Sequence, residues 1–198
     1  MKRLFFVIAI CFVCVFAVAQ SKGHLVIMNT PINGDVNTFI SKLENTGRVK
    51  STLVTMPAKN VAYLRGSFAG ISNCFFLASY TPLSKTVYKV TILTESKTNW
   101  LEIESTYDDL LERYKTKYNL KWQQNTLSMG AIRSATEIER IYKYGCSVSS
   151  AFEAPAGNVY MQIKANSSDR AQIEIIYIDK QNLMKSQTED KDALYEDL

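Results

Sequence analysis

The chain has 198 residues, 46% of them hydrophobic and 21% charged, and its 23 basic and 19 acidic residues give a formal net charge of +4. No one-sided basic block accompanies that charge, so the electrostatic footprint of a nucleic-acid binder is absent. A single histidine excludes two-histidine zinc sites, and neither a glycine-rich phosphate loop nor a calcium loop occurs.

The first nineteen residues read as a secretory leader. Lys2 and Arg3 are followed by the apolar run Leu4 to Val18, and Ala17-Val18-Ala19 supplies the small residues of a cleavage site before Gln20. A membrane anchor fits less well, because Leu4 to Ala19 is sixteen residues and roughly twenty are needed to cross a bilayer. Lipidation at Cys11 or Cys14 is set aside, since Ile10 and Val13 stand where a small residue is required. The mature chain is then 179 residues, 20–198, enough for one α+β domain. Loss of Lys2 and Arg3 takes 23 basic residues to 21 and the formal charge to +2.

His24 comes next, a lone histidine near the mature N-terminus that reads as an edge or solvent-facing residue. In "GDVNTFISKLENTG", Val36, Phe39, Ile40 and Leu43 share one helical face, with Asp35 as N-cap and Gly47 as the left-handed stop. "LRGSFAGISNCFFLASY" then crowds Gly66, Ser67, Gly70 and Cys74 together. A nucleophile elbow needs serine centred in Gly-x-Ser-x-Gly before a helix. Here Ser67 abuts Gly66 and a strand follows, so the run reads as two strands joined by a turn at Gly70 to Asn73. Cys74 shares a strand face with Phe76, Ala78 and Tyr80, the setting of a packed thiol. "TVYKVTILT" places Tyr88, Val90 and Ile92 on one side and Lys89 and Thr91 on the other.

A second helix runs through "TNWLEIESTYDDLLERYKTKYN", with the stripe Trp100, Ile103, Tyr107, Leu110, Leu111, Tyr114 and Tyr118. Glu104, Asp108 and Glu112 line its opposite face. Such a row can bind a cation or do acid–base work, but reads more simply as the wet side, with Asp109–Arg113 as an ion pair. "NVYMQIKA" and "AQIEIIYID" alternate with Val159, Met161 and Ile163, then Ile173, Ile175 and Tyr177, facing inward. Asn166 in "NSS" matches a glycosylation sequon and serves as the turn between those strands. The segment 183–198 is strongly acidic and reads as a solvated tail.

Of the mature chain's two cysteines, Cys74 and Cys146, either a disulfide or two buried thiols fits the sequence. A bridge would close a long loop and contribute roughly 4 kcal/mol. Alternation puts Tyr63 and Tyr160 on the polar sides of their strands, where tyrosines bind proteins or sugars. Phe68, Asn73 and Phe76 match Phe152, Asn158 and Met161, and Tyr88, Val90 and Ile92 match Ala171, Ile173 and Ile175, at offsets of 83 to 85 residues. The expectation is a tandem repeat of a helix packed on an antiparallel sheet, about 24–97 and about 98–182.

The leader with Ala19-Gln20, "TPINGDVNTFISKL", "GSFAGISNC", "KTVYKVTIL" and "IEIIYIDKQN" together resemble uncharacterised secreted proteins of the Bacteroidetes, over nearly all of the mature sequence. By architecture alone the tandem layout is similar to β-lactamase-inhibitor-like folds. The resemblance implies a periplasmic or exported binding module and carries no site residues with it. The expected function is therefore a non-catalytic binding or interaction protein of the bacterial envelope. Its partner would be a protein or glycan, with no nucleic acid, cofactor, metal or membrane span after leader cleavage. A hydrolase using carboxylates of the second helix, or an apolar small-ligand carrier, are the alternatives.

Overall fold

The structure, a computed structural model, describes residues 23–55, 57–128 and 134–196, the last segment with side chains through 189. The leader expected over 1–19 lies outside the described residues. A small ribbon of β1 (Val26–Ile27) and β2 (Thr30–Pro31) precedes α1 (Val36–Glu44), β3 (Val49–Ser51), β4 (Val61–Phe68), β5 (Ile71–Tyr80) and β6 (Val87–Leu93). Then follow α2 (Trp100–Lys117), β7 (Asn119–Asn125), α3 (Glu137–Tyr144), β8 (Val148–Ala154), β9 (Gly157–Ala165), β10 (Ala171–Asp179) and α4 (Lys180–Glu196). The class is α+β. Strands β3 to β10 form one antiparallel sheet in the order β3-β4-β5-β6-β10-β9-β8-β7.

Helix α1 forms where expected. The Asp35 carboxylate accepts from the Asn37 and Thr38 amides, and Gly47 takes φ 70° just beyond the helix. Val36, Phe39 and Leu43 turn inward. Helix α2 begins at Asn99, whose side chain accepts from the Glu102 amide, and buries Ile103, Tyr107, Leu110, Leu111 and Tyr114. Each large apolar side chain so buried contributes about 1.5–3 kcal/mol. Together these two stripes account for most of the helical contribution to the core.

The sheet face under the helices is built from the inward residues that alternation marks. Leu64, Phe76, Val90, Ile92, Ile175, Val159, Met161 and Phe152 are fully enclosed. Three core tyrosines satisfy their hydroxyls within it. Tyr107 bonds Ser150 at 2.6 Å, and the Tyr114 and Tyr177 hydroxyls bond each other. Tyr88, expected to point inward with Val90 and Ile92, is only half-buried. A bulge in β6 opposite Ser79 and Tyr80 lets Val87 take the inward place instead.

Two further readings change. The β4–β5 turn is Ala69-Gly70, both at positive φ (52° and 90°), with Phe68 paired to Ile71. That two-residue geometry suits the right-handed strand twist, so Asn73 lies within β5 rather than in the turn. The acidic segment is likewise no free tail, because α4 covers Lys180–Glu196 and buries Asn182, Ser186 and Glu189. Asn182 donates to the carbonyls of Ile32 and Val87, and Glu189 accepts from the Leu83 and Ser84 amides. Helix α4 therefore closes the end of the sheet where β10 stops and β6 starts.

Asp179 ties three segments together at that end. Fully enclosed, it accepts from the Leu25 amide at 2.8 Å and the Asn182 amide at 3.0 Å, and faces His24 Nδ1 at 3.3 Å. Asp179→Ala removes the N-cap of α4 and leaves the buried Leu25 amide unpaired. It is expected to cost about 2–3 kcal/mol, measured by urea unfolding, with Asp179→Asn losing less.

Burial pushes the Tyr107 hydroxyl up to about 12 and raises those of Tyr114 and Tyr177 as well. The unfolded chain ionises near pH 10, so above that pH the native state binds more protons than the unfolded one. Stability is complete below about pH 10 and falls above it by about 1.4 kcal/mol per pH unit for each of these tyrosines. Urea midpoints followed from pH 9 to 11.5 should decline less steeply in Tyr177→Phe than in the native chain.

Candidate binding face

Directly paired residues in an antiparallel ladder point to the same side, so the register fixes what the face opposite α1 and α2 presents. Tyr63 pairs with Leu77, Leu77 with Thr91, Thr91 with Ile176, Ile176 with Tyr160, Tyr160 with Ala151, and Ala151 with Trp122. Seven strands thus contribute one residue each to a single cross-sheet row. Strand spacing of about 4.8 Å makes that row about 29 Å long. Tyr63, Leu77, Ile176 and Tyr160 are half-buried, and Trp122 is 45% exposed. The small residues Thr91 and Ala151 sit sheltered between them.

A second row lies beside the first: Lys50, Arg65, Phe75, Leu93, Glu174, Gln162, Ser149 and Gln124. Its apolar pair widens the stripe over β5 and β6, and Arg65 lies 5.2 Å from the centre of the Phe75 ring. The third row is Val61, Ser79, Lys89, Ile178, Asn158, Glu153 and Asn119. The face is therefore an aromatic and apolar stripe bordered by amides, hydroxyls and charges. Tyr63 also accepts a hydrogen bond from the Ala58 amide at 3.0 Å, which holds its ring in place.

At the β3 corner the face runs into an open groove of about 500 Å³ lined by Arg48, Lys50, Arg65, Ser67 and Asn73. Gly66 makes the groove floor. A Cβ there would lie 2.1 Å from the Arg48 carbonyl oxygen, so only glycine lets β3 approach this closely. Among the described residues Arg48, Lys50, Arg65 and Lys89 form no ion pair. The acids of the same face are engaged, Glu174 by Lys164 at 3.1 Å and Glu153 by Lys121 at 3.4 Å.

The other groups singled out by sequence fall elsewhere. Ser67 is an interior residue of β4, its amide bonded to the Arg48 carbonyl. Glu104 accepts from the Trp100 indole and Glu112 pairs with Lys115 at 2.8 Å, while Asp108 is exposed. No group of three or more histidine, cysteine, aspartate or glutamate side chains is placed to hold a metal among the described residues. Asn166 sits in the β9–β10 turn and donates to Ser96. A cavity of about 270 Å³ under the β4–β5 turn contains Glu95 and Lys97. Lys97 pairs with Glu102, and Glu95 accepts a hydrogen bond from the Asn73 side-chain amide at 3.4 Å. An apolar hollow by Leu25, Tyr118 and Pro155 measures about 70 Å³, well short of the roughly 300 Å³ at which small-molecule pockets begin.

Cys74 and Cys146 are both free thiols, so the bridge does not form in this structure. The reason is topological. Cys74 lies on β5 and Cys146 just before β8, four strand spacings or about 19 Å apart in the sheet, whereas a disulfide needs Cα atoms within about 7 Å.

Sequence reading found Tyr63 and Tyr160 but missed Leu77, Ile176 and Trp122. Leu120 and Trp122 alternate with polar residues in "NLKWQQN", a faint strand signal, but nothing in one strand announces its neighbours across six others. No helix among the described residues is long and apolar enough to cross a membrane.

Burial raises the Cys74 thiol above its ordinary value, which keeps it protonated and shielded. A disulfide-exchange reagent should therefore label Cys146 alone in native mature protein at pH 8 and both thiols after denaturation without reductant. Labelling of neither would restore the bridge. No family model matches this chain, and no curated protein or solved structure matches it.

Proposed function

We propose that this chain is an exported, non-catalytic binding protein of the bacterial envelope that holds its partner on the open sheet face. The observation that carries the reading is the register-aligned row from Tyr63 through Tyr160 to Trp122. Aromatic side chains on a rigid sheet offer contact area at small entropic cost, and the flanking amides add hydrogen bonds. Export rests on the leader pattern of residues 1–19 and on the resemblance to secreted Bacteroidetes proteins.

The same reading takes the fold as two copies of one unit, 24–97 and 98–182. Supporting it, α1 precedes β3 to β6 and α2 precedes β7 to β10, while β6 and β10 meet at the centre of the sheet. The β4–β5 and β8–β9 hairpins both close with two residues, Ala69-Gly70 and Pro155-Ala156. Ile92 and Ile175, which the sequence match sets 83 positions apart, pair directly at the centre of the sheet. Helix α3 is then an insertion in the second copy, between β7 and β8.

The test is capture from an envelope extract on immobilised mature protein, comparing the native chain with a Tyr63→Ala/Tyr160→Ala/Trp122→Ala variant of verified fold. Recovery that depends on the three aromatics supports the reading. Recovery indifferent to them, or turnover of a hydrolase substrate panel, overturns it.

A further inference from the structure

We infer that the occupant of this face is an anionic polysaccharide, laid across the strands along the Tyr63–Trp122 row with its charged groups at the β3 corner. The inference rests on the proposed binding function and names its ligand class.

Three features select a glycan over a peptide or a protein surface. The first is the state of the backbone. Every strand beneath the row except β7 has a neighbour on both sides, so open backbone groups are confined to the outer edge of β7, at one end of the row. Peptides that bind sheets do so at edges, where those groups are open, and a peptide laid on the face would leave its own backbone unpaired. A sugar chain carries hydroxyls, which the bordering side chains Gln162, Ser149, Gln124 and Asn158 can serve.

Second comes shape. The stripe is about 29 Å long and about 7 Å deep, the separation of same-face positions along a strand. Its area of roughly 200 Å² is far below the roughly 800 Å² per partner of a stable protein interface, and Phe75 and Leu93 widen it only over β5 and β6. A single extended polymer chain fits it. Tyr160 and Trp122 are two strand spacings apart and Tyr63 and Tyr160 four, about 10 and 19 Å. One strand spacing is close to the length of a pyranose ring in an extended chain, so the aromatics stand at whole-ring intervals along such a polymer, as stacking platforms should.

Charge supplies the third. On this face Glu153 and Glu174 are held by Lys121 and Lys164. Arg48, Lys50, Arg65 and Lys89 form no ion pair among the described residues, and three of them converge on the corner groove with Ser67 and Asn73. Two acids meet the groove lining without an ion pair among the described residues, Glu95 at Asn73 (3.4 Å) and Glu44 at Ser51 (2.7 Å), so the three cations leave the corner net positive, and Arg65 lies over the Phe75 ring. Carboxylate and sulfate groups are the complementary chemistry. Uronate polymers and sulfated glycans both offer it, and the experiment separates them.

Affinity electrophoresis of mature protein provides the test, in gels carrying polygalacturonate, dextran sulfate, a neutral β-glucan, polyglutamate or anionic phospholipid vesicles. Retardation is expected by polygalacturonate or dextran sulfate, with the stronger of the two naming the anion. Affinity should weaken with salt. It should also fall about ten-fold for Trp122→Ala or Tyr160→Ala, the loss of one stacked aromatic, and comparably for Lys50→Gln/Arg65→Gln. Thermal melts exclude variants that fail to fold, and Lys143→Gln, on α3 away from the face, serves as the unaffected control. Equal retardation by the neutral glucan overturns the anionic assignment. Retardation by polyglutamate or vesicles alone overturns the glycan. Binding that ignores the aromatic substitutions is mere ion exchange and overturns the site. If these gels fail while envelope capture still depends on the three aromatics, the ligand class is wrong and the binding face stands. If both fail, so does the proposed function.

Discussion

The pairing of β6 with β10 is the interaction on which everything else in this molecule depends. Val90 lies opposite Tyr177 and Ile92 opposite Ile175, all enclosed, and Thr91 meets Ile176 on the reverse side. A slip of one residue would exchange the two faces of β10. Tyr177 would leave Tyr114 and turn to solvent, and Ile176 would enter the core. The buried hydroxyl pair therefore does more than satisfy two polar groups, since it penalises the wrong register. The row on the open face exists only because that register holds.

Polar clamps at the end of the sheet fix what the strands alone leave open. Asp179 joins the N-terminal segment to the start of α4, and Glu189 joins α4 to the turn before β6. Both use carboxylates to accept from backbone amides, a strong arrangement in a sheltered place. Their geometry makes the two chain ends part of one structural corner. The open face thus lies on the side away from α1 and α2, with α4 at the sheet's end.

Sequence patterns declared the parts of this structure that obey one period and bury apolar residues. Helix α2 and strands β9 and β10 are such parts, and their inward residues were legible one by one. Helix α4 was not, because its inward positions Asn182, Ser186 and Glu189 are polar and hydrophobic periodicity is silent there. Strand β7 was hidden for the opposite reason, being exposed at every position. Tyr88 misled because it is itself the extra residue of a bulge in β6, between Lys89 paired to Ser79 and Val87 paired to Tyr80, which resets the phase. Tyr63 and Tyr160 could be assigned to the wet sides of their strands. That they stand in the same line required four intervening pairings, and no local pattern encodes those.

The place of β10 has a consequence for how the chain comes into being. The last strand of the sheet in chain order occupies an inner position, between β6 and β9. Until residue 179 has emerged, the earlier strands form two partial sheets, each ending on an unpaired edge at the future centre. Such edges are where nascent chains join wrong partners. Closure of the sheet must therefore wait for β10, and a chain truncated before it would have two exposed seams and no continuous face.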